Sequence, residues 1–149
     1  PTVIGWRSLR DESKADLNSS DLFHHDSRRF EVATSCVPLM AGLRSSLQLL
    51  DQTGSAQQRW ERIRTLSGML WQALQGLERV TPLLELPPAS GLVSFQITGD
   101  VPPVEHVKQL GAQGLWIRDL ADPSCLRACT HITTTEDDIN ALVAAISAL

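Results

Sequence analysis

The sequence predicts an α+β domain, a small mixed or antiparallel sheet with helices packed on one face. Three observations carry this. Apolar residues recur at helical spacing between Leu39 and Leu77. Short alternating apolar runs, punctuated by Gly, Pro and Asp, follow from Val80. A last amphipathic stretch opens on a threonine-based capping signature at Thr135. With 149 residues the chain is long enough for one domain with a real core, because a chain of this size buries roughly 68–70% of its unfolded surface.

The order of elements follows from the local chemistry. PTVIGWRSLR is short, apolar and extended in character, and it runs into about twenty polar residues, DESKADLNSSDLFHHDSRR, with no period and no turn glycine. A structureless loop of that length is uncommon inside a compact domain unless it is functional or packs on another body. From Phe30 the pattern changes. Leu39, Leu43, Leu47 and Leu50 lie at helical spacing, Ser35 is a candidate cap, Pro38 falls in the tolerant first turn, and Gly54 marks the stop. A second helix follows, with Ser55 as N-cap, Trp60, Ile63, Leu66, Leu70, Leu74 and Leu77 on one face, and Gly76 near its end.

VTPLLELP then reads as an edge strand, because Pro82 removes a ladder hydrogen bond. Ser90–Thr98 alternates as a strand and is followed by the turn residues Gly99 and Asp100. PPVEHVKQLGAQG reads as a short helix entered at a proline and left at a glycine. LWIRDL and SCLRACTH are two further strands joined by ADP. The final helix begins at Thr135, with Asp138 three residues on, and buries Ile139, Leu142, Val143 and Ile146.

Composition narrows the function. A net charge of −4 argues against a nucleic-acid binder, which needs a basic face. No apolar stretch is long enough to cross a membrane. Three cysteines, Cys36, Cys125 and Cys129, form no disulfide pattern and point to a reducing cytoplasm. Cys125 and Cys129 have no second pair with which to build a zinc site, so no metal is expected. The chain begins at Pro1 rather than methionine, and the expectation is a piece of a longer protein.

The candidate chemistry is a pair of arginines. Arg118 and Arg127 lie nine residues apart on adjacent strands, and a hairpin would bring them to the same edge of the sheet. Two converging guanidiniums suit a ligand with carboxylates, because each forms bidentate charge-assisted bonds. The alternative is that one or both pair with surface Asp or Glu. Arg127 has the stronger case for a ligand, since Leu126, Ala128 and Cys129 beside it are small or apolar. Phosphate-loop, dinucleotide and zinc-protease motifs are absent, and neither Lys14 nor Lys108 lies in a setting that would desolvate it for Schiff-base chemistry.

Three segments carry a resemblance to a known family. RRFEVATS at Arg28–Ser35, ahead of a helix with an early proline, resembles the join into the small domain of class V aminotransferase-type enzymes. CLRACTHITTTEDDINALVAAI resembles that family's closing signature, and PTVIGWRSL resembles the segment soon after its cofactor lysine. The resemblance covers essentially the whole chain. It implies the C-terminal domain of a fold-type I enzyme using pyridoxal 5′-phosphate, normally a homodimer, in which the residue matching Arg127 binds the α-carboxylate of an amino-acid substrate.

Within the family, Gly5–Arg7 together with Arg118 and Arg127 looks most like the cysteine/cystine C–S lyases, where a second arginine would hold the distal carboxylate of cystine. On the same resemblance Gly5 and Arg7 border the cofactor, and Trp6 lines the substrate pocket or reaches the partner subunit's site. Desulfurases of similar shape carry a persulfide-forming cysteine on a loop well ahead of the arginine. Here no cysteine lies between Gly111 and Asp122, which argues against that chemistry. The cofactor lysine and its companions would lie upstream of Pro1. Residues 1–29 are therefore expected to pack on a large N-terminal domain or a partner subunit, with 30–149 forming the small domain, and the chain alone is expected to be inactive. The other function class is a stand-alone amino-acid-binding module; a degenerate relative without chemistry is the third.

Overall fold

The computed structural model describes residues 3–10 and 22–149, so most of the polar arm expected over 11–29 lies outside the described residues. The chain divides into two compact units, Pro1–Leu50 and Asp51–Leu149.

In the first unit a 3-10 turn at Trp6–Ser8 leads into an isolated antiparallel bridge between Leu9 and Phe23. Ser8 is fully buried; its hydroxyl donates to the Glu31 carbonyl at 2.7 Å and accepts the Gly5 N–H at 3.3 Å. A second 3-10 turn, Ser27–Phe30, is capped by Asp26, whose carboxylate accepts the Arg28 N–H. Helix α1, Val37–Gln52, holds Pro38 in its first turn as expected. None of its residues is buried, and Leu39, Leu43 and Leu47 stay more than half exposed.

In the second unit Gly54 adopts φ 105°, a left-handed turn that favours glycine, and α2 follows over Ala56–Gln75. Ser55 caps it as expected. Its Oγ accepts the Gln58 N–H at 3.2 Å while the Gln58 side chain accepts the Ser55 N–H at 2.8 Å. The expected apolar face is buried from Leu66 onward, at Leu66, Leu70 and Leu74. Trp60 departs from the expectation: it is half exposed, under the Arg64 guanidinium at 4.8 Å. Trp71 is buried instead, its indole N–H donating to the Leu84 carbonyl at 3.0 Å.

Four strands follow, β1 Val80–Pro82, β2 Leu92–Ile97, β3 Arg118–Ala121 and β4 Ser124–Cys129, in the order β1-β2-β4-β3. Every pairing is antiparallel. The edge strand expected over VTPLLELP shrinks to three residues, because Pro82 has no N–H to extend the ladder and the Leu84 carbonyl is turned to Trp71. LWIRDL pairs only from Arg118; Trp116 before it is exposed.

Helix α3, Pro103–Gly111, starts with proline at its first turn, and α4, Glu136–Ser147, is capped by Thr135 and Asp138 as expected. Val93, Phe95, Leu126 and Ala128 point from one sheet face into a core completed by Leu70 and Leu74 of α2, Leu110 of α3, and Ile139, Leu142 and Ile146 of α4. Burying each large side chain there contributes about 1.5–3 kcal/mol. The helices thus cover the face that carries Leu126 and Ala128, and the residues between them are turned the other way.

Candidate functional site

Alternation along β4 positions the site. Leu126 and Ala128 face the core, so Arg127 projects from the opposite face together with Cys125 and Cys129. The register brings Arg118 directly opposite Arg127 across β3–β4, and Ser94 directly opposite Arg127 across β2–β4. One row of side chains therefore crosses three strands: Ser94, Arg127, Arg118.

The backbone bonds fix how close these neighbours lie. The Leu83 N–H donates to the Ser94 carbonyl at 2.9 Å, so Ser94 turns its backbone groups toward β1. The Thr130 N–H donates to the Gly91 carbonyl at 2.8 Å, and by alternation Arg127 turns its own toward β3. Arg118 and Arg127 are thus a hydrogen-bonded pair, with Cα atoms about 5.5 Å apart, and Ser94 and Arg127 a non-hydrogen-bonded pair, about 4.5 Å apart, where side chains approach most closely.

Two like charges directly opposite are destabilising in a sheet. Among the described residues neither Arg118 nor Arg127 has a hydrogen-bond or ion-pair partner, which rules out the surface pairing with Asp or Glu within those residues. Arg127 is half-buried and Arg118 exposed on the edge strand. The arrangement can receive an anion with two acceptor groups, each guanidinium offering a planar fork of N–H donors.

The two neighbouring thiols differ. Cys125 is buried, and burial pushes its pKa up, with the nearby Arg127 partly opposing; it is held as a neutral thiol. Cys129 is exposed. Cys125 also lines a cavity of about 360 Å³ with Gln96, Ser124 and His106. His106 is 4% exposed, and its buried Nδ1 has no hydrogen-bond partner among the described residues. Burial, and then the charge of Arg79, lower its pKa and favour the neutral ring. Nothing in the sequence marked His106, which reads as one polar residue on a short helix. Ser94 was equally hidden, since only the strand register sets it beside Arg127.

Trp6, Gly5 and Arg7 lie in the first unit. Trp6 is half exposed, with the Arg7 guanidinium 5.9 Å from its ring centroid. Arg7 is held from two sides, donating to Ser35 Oγ at 2.8 Å and standing 3.0 Å from the Glu31 carboxylate. Gly5 packs so tightly against the Val32 backbone that a Cβ would collide with its carbonyl. These contacts occupy Arg7 with a carboxylate and fill the space beside Gly5. Lys108 is tied to Glu105 at 2.7 Å. The described residues by themselves do not fit pyridoxal phosphate: Arg7 is already engaged by Glu31, and they offer no unpaired lysine for its aldehyde. No group of three or more His, Cys, Asp or Glu among them is arranged to hold a metal ion, and no described helix is long and apolar enough to cross a membrane.

No protein-family model matches the chain, and no curated protein does. Solved structures do match. A lysine-to-alanine mutant of C-DES with glycine covalently linked to its PLP cofactor is 37% identical, covering 99% of this chain and 37% of its own, with a TM-score of 0.84. The cystine C-S lyase C-DES in complex with its reaction product, cysteine persulfide, is also 37% identical, over 99% of this chain and 38% of its own, at 0.84. The cysteine desulfurase CsdA from Escherichia coli shares the fold at 23% identity, over 97% of this chain and 37% of its own, at 0.75. The chain spans a little over a third of the length of these proteins. It therefore has the fold of the corresponding part of cystine C-S lyase and the cysteine desulfurases, the class V aminotransferase fold.

Proposed function

We propose that this chain is the C-terminal domain of a pyridoxal-phosphate enzyme that cleaves a C–S bond by β-elimination, with cystine as the substrate of first choice. Its own contribution is a carboxylate clamp. Arg127 binds the α-carboxylate and Arg118 the distal carboxylate of a substrate with two amino-acid ends. The single observation that carries this reading is the Arg118–Arg127 pair, directly opposed and without an acidic partner among the described residues. The 37% identity to a cystine C-S lyase over nearly the whole chain supports the choice of substrate.

Binding at two fixed points orients the substrate as well as holding it, because clamping both ends fixes the direction of its long axis and the planar guanidinium forks restrict rotation about that axis. The half-buried position of Arg127 strengthens its charge-assisted bonds relative to those of exposed Arg118. Cofactor and lysine belong to a large N-terminal domain, with a second subunit in a homodimer working in the cytoplasm, where Trp6 borders the pocket. Gly5 and Arg7 then support the cofactor site indirectly, by fixing the segment that carries Trp6.

The test uses the chain as it stands. Incubated with pyridoxal phosphate and L-cystine it should release no pyruvate, while glutarate, a plain dicarboxylate, should shift the Nε–Hε resonances of Arg118 and Arg127. Pyruvate release would refute the silent-wall assignment, and unmoved arginine resonances would refute the clamp. The absence of a fitting cofactor site among the described residues favours one second reading, an amino-acid-binding module without catalysis. Fusion to the remaining two thirds of a C-S lyase discriminates: an active chimera supports the enzyme domain, and an inactive but glutarate-binding one supports the module.

A further inference from the structure

We infer that Ser94 is the third member of the carboxylate site, its hydroxyl donating to the carboxylate that Arg127 holds; this rests on the clamp reading above. The register puts Ser94 directly opposite Arg127 on the side away from Arg118, in the pair type where side chains come closest. Their Cβ atoms are then about 4.5–5.5 Å apart on one face of the sheet. Ser94 is half-buried, and among the described residues its hydroxyl has no hydrogen-bond partner.

The chemistry fits that position. A carboxylate offers about four lone-pair sites, and one guanidinium fork occupies two of them. A second arginine on the same carboxylate would bring a further positive charge close to the first. A neutral hydroxyl reaches a remaining lone pair without that repulsion, and the bond is charge-assisted. The row across the sheet therefore divides the work: Ser94 and Arg127 form the site for one carboxylate, and Arg118 on the edge strand receives the other. Flanking positions on the same face, Leu92 opposite Cys129 and Leu120 opposite Cys125, carry no hydroxyl that could substitute.

The experiment titrates acetate and glutarate into the 149-residue chain and follows the arginine Nε–Hε resonances. It compares the wild type with Ser94→Ala, Ser94→Thr, Arg118→Gln and Arg127→Gln. Ser94→Ala should weaken acetate binding roughly tenfold to a hundredfold, the range of one hydrogen bond to a charged group. Ser94→Thr should restore it, because it returns the hydroxyl; that rescue separates a donor from a residue that merely shapes the strand. Arg118→Gln should spare acetate and weaken glutarate. If Ser94→Ala binds acetate like the wild type while Arg127→Gln does not bind it, Ser94 is no part of the site and the arginine clamp stands. If neither arginine variant changes binding, or the wild type shows no saturable shift, the clamp and the role of Ser94 fall together.

Discussion

Arg118 and Arg127 face each other across the β3–β4 ladder as a directly opposed pair, and among the described residues neither is neutralised. Cross-strand like charges cost stability, so the domain carries a local defect that a bound dianion removes. A ligand that binds only the folded state raises stability by mass action. The same two residues therefore link a binding property to a folding property, and one can be read through the other.

Arg118→Glu tests that link. The substitution turns a repulsive pair into an attractive one on a partly exposed edge. It should raise unfolding stability by about 0.2–1 kcal/mol, seen as a higher urea midpoint at unchanged slope. The same variant should lose the stabilisation by glutarate that the wild type shows. A lower midpoint, or retained stabilisation by glutarate, would contradict the pairing.

His106 sets the expected dependence on pH. Its folded pKa lies below the ordinary histidine value of 6.5 because burial, and secondarily Arg79, disfavour the cation. The unfolded chain then binds more protons, so stability is present above pH 6.5 and declines as pH falls below it. The lowered carboxyls of Asp26 and Asp138 act only below their usual 3.8, outside that window. Urea midpoints between pH 7.5 and 5 should fall in the wild type and stay nearly flat in His106→Gln.

Gly91 explains the start of β2. A Cβ there would collide with the Thr130 carbonyl and lie 2.9 Å from Ile63 Cγ2. Thr130 is itself buried, its N–H bonded to the Gly91 carbonyl. Gly91→Ala should cost about 1–3 kcal/mol through overpacking. A thermal melt should show a drop of several degrees, with loss of exchange protection at the Thr130 amide.

Thr135→Ala removes the cap of α4. Thr135 Oγ accepts the Asp138 N–H at 3.1 Å, and Asp138 accepts the Thr135 N–H and hydroxyl, both at 2.8 Å. The loss should be about 1 kcal/mol. The Thr135 N–H, and after it the hydroxyl, hold the Asp138 carboxyl below 3.8; the variant loses the hydroxyl's share, a stabilisation present above that value that fades as pH falls through the folded pKa. The variant should therefore differ most from the wild type near neutrality and converge with it in acid. An Asp138 resonance that titrates at the same pH in both proteins would sink this account.

Much of the scaffold was legible in sequence because its signals are local. Ser55 with Gln58 and Thr135 with Asp138 are contacts between residues three apart, so the capping boxes could be read directly. The hairpin that brings Arg118 and Arg127 together is likewise short, with two residues between its strands. The length of β1 was not legible, since the Leu84 carbonyl is claimed by Trp71, thirteen residues away. The burial of Trp71 in place of Trp60 depends on which turns of α2 meet the core, and both tryptophans have the same propensity.

The sequence by itself determined the class of fold, the order of its elements and the two arginines worth testing, because periodicity, capping and charge are properties of neighbouring residues. Tertiary structure alone decided that Ser94 stands at the closest position to Arg127 and that Arg7 is already engaged by Glu31. It also decided that His106 is buried, its Nδ1 without a hydrogen-bond partner among the described residues. Those facts depend on strand register and packing between segments distant in the chain. A one-residue slip of β2 against β4 would have sent Ser94 to the other face.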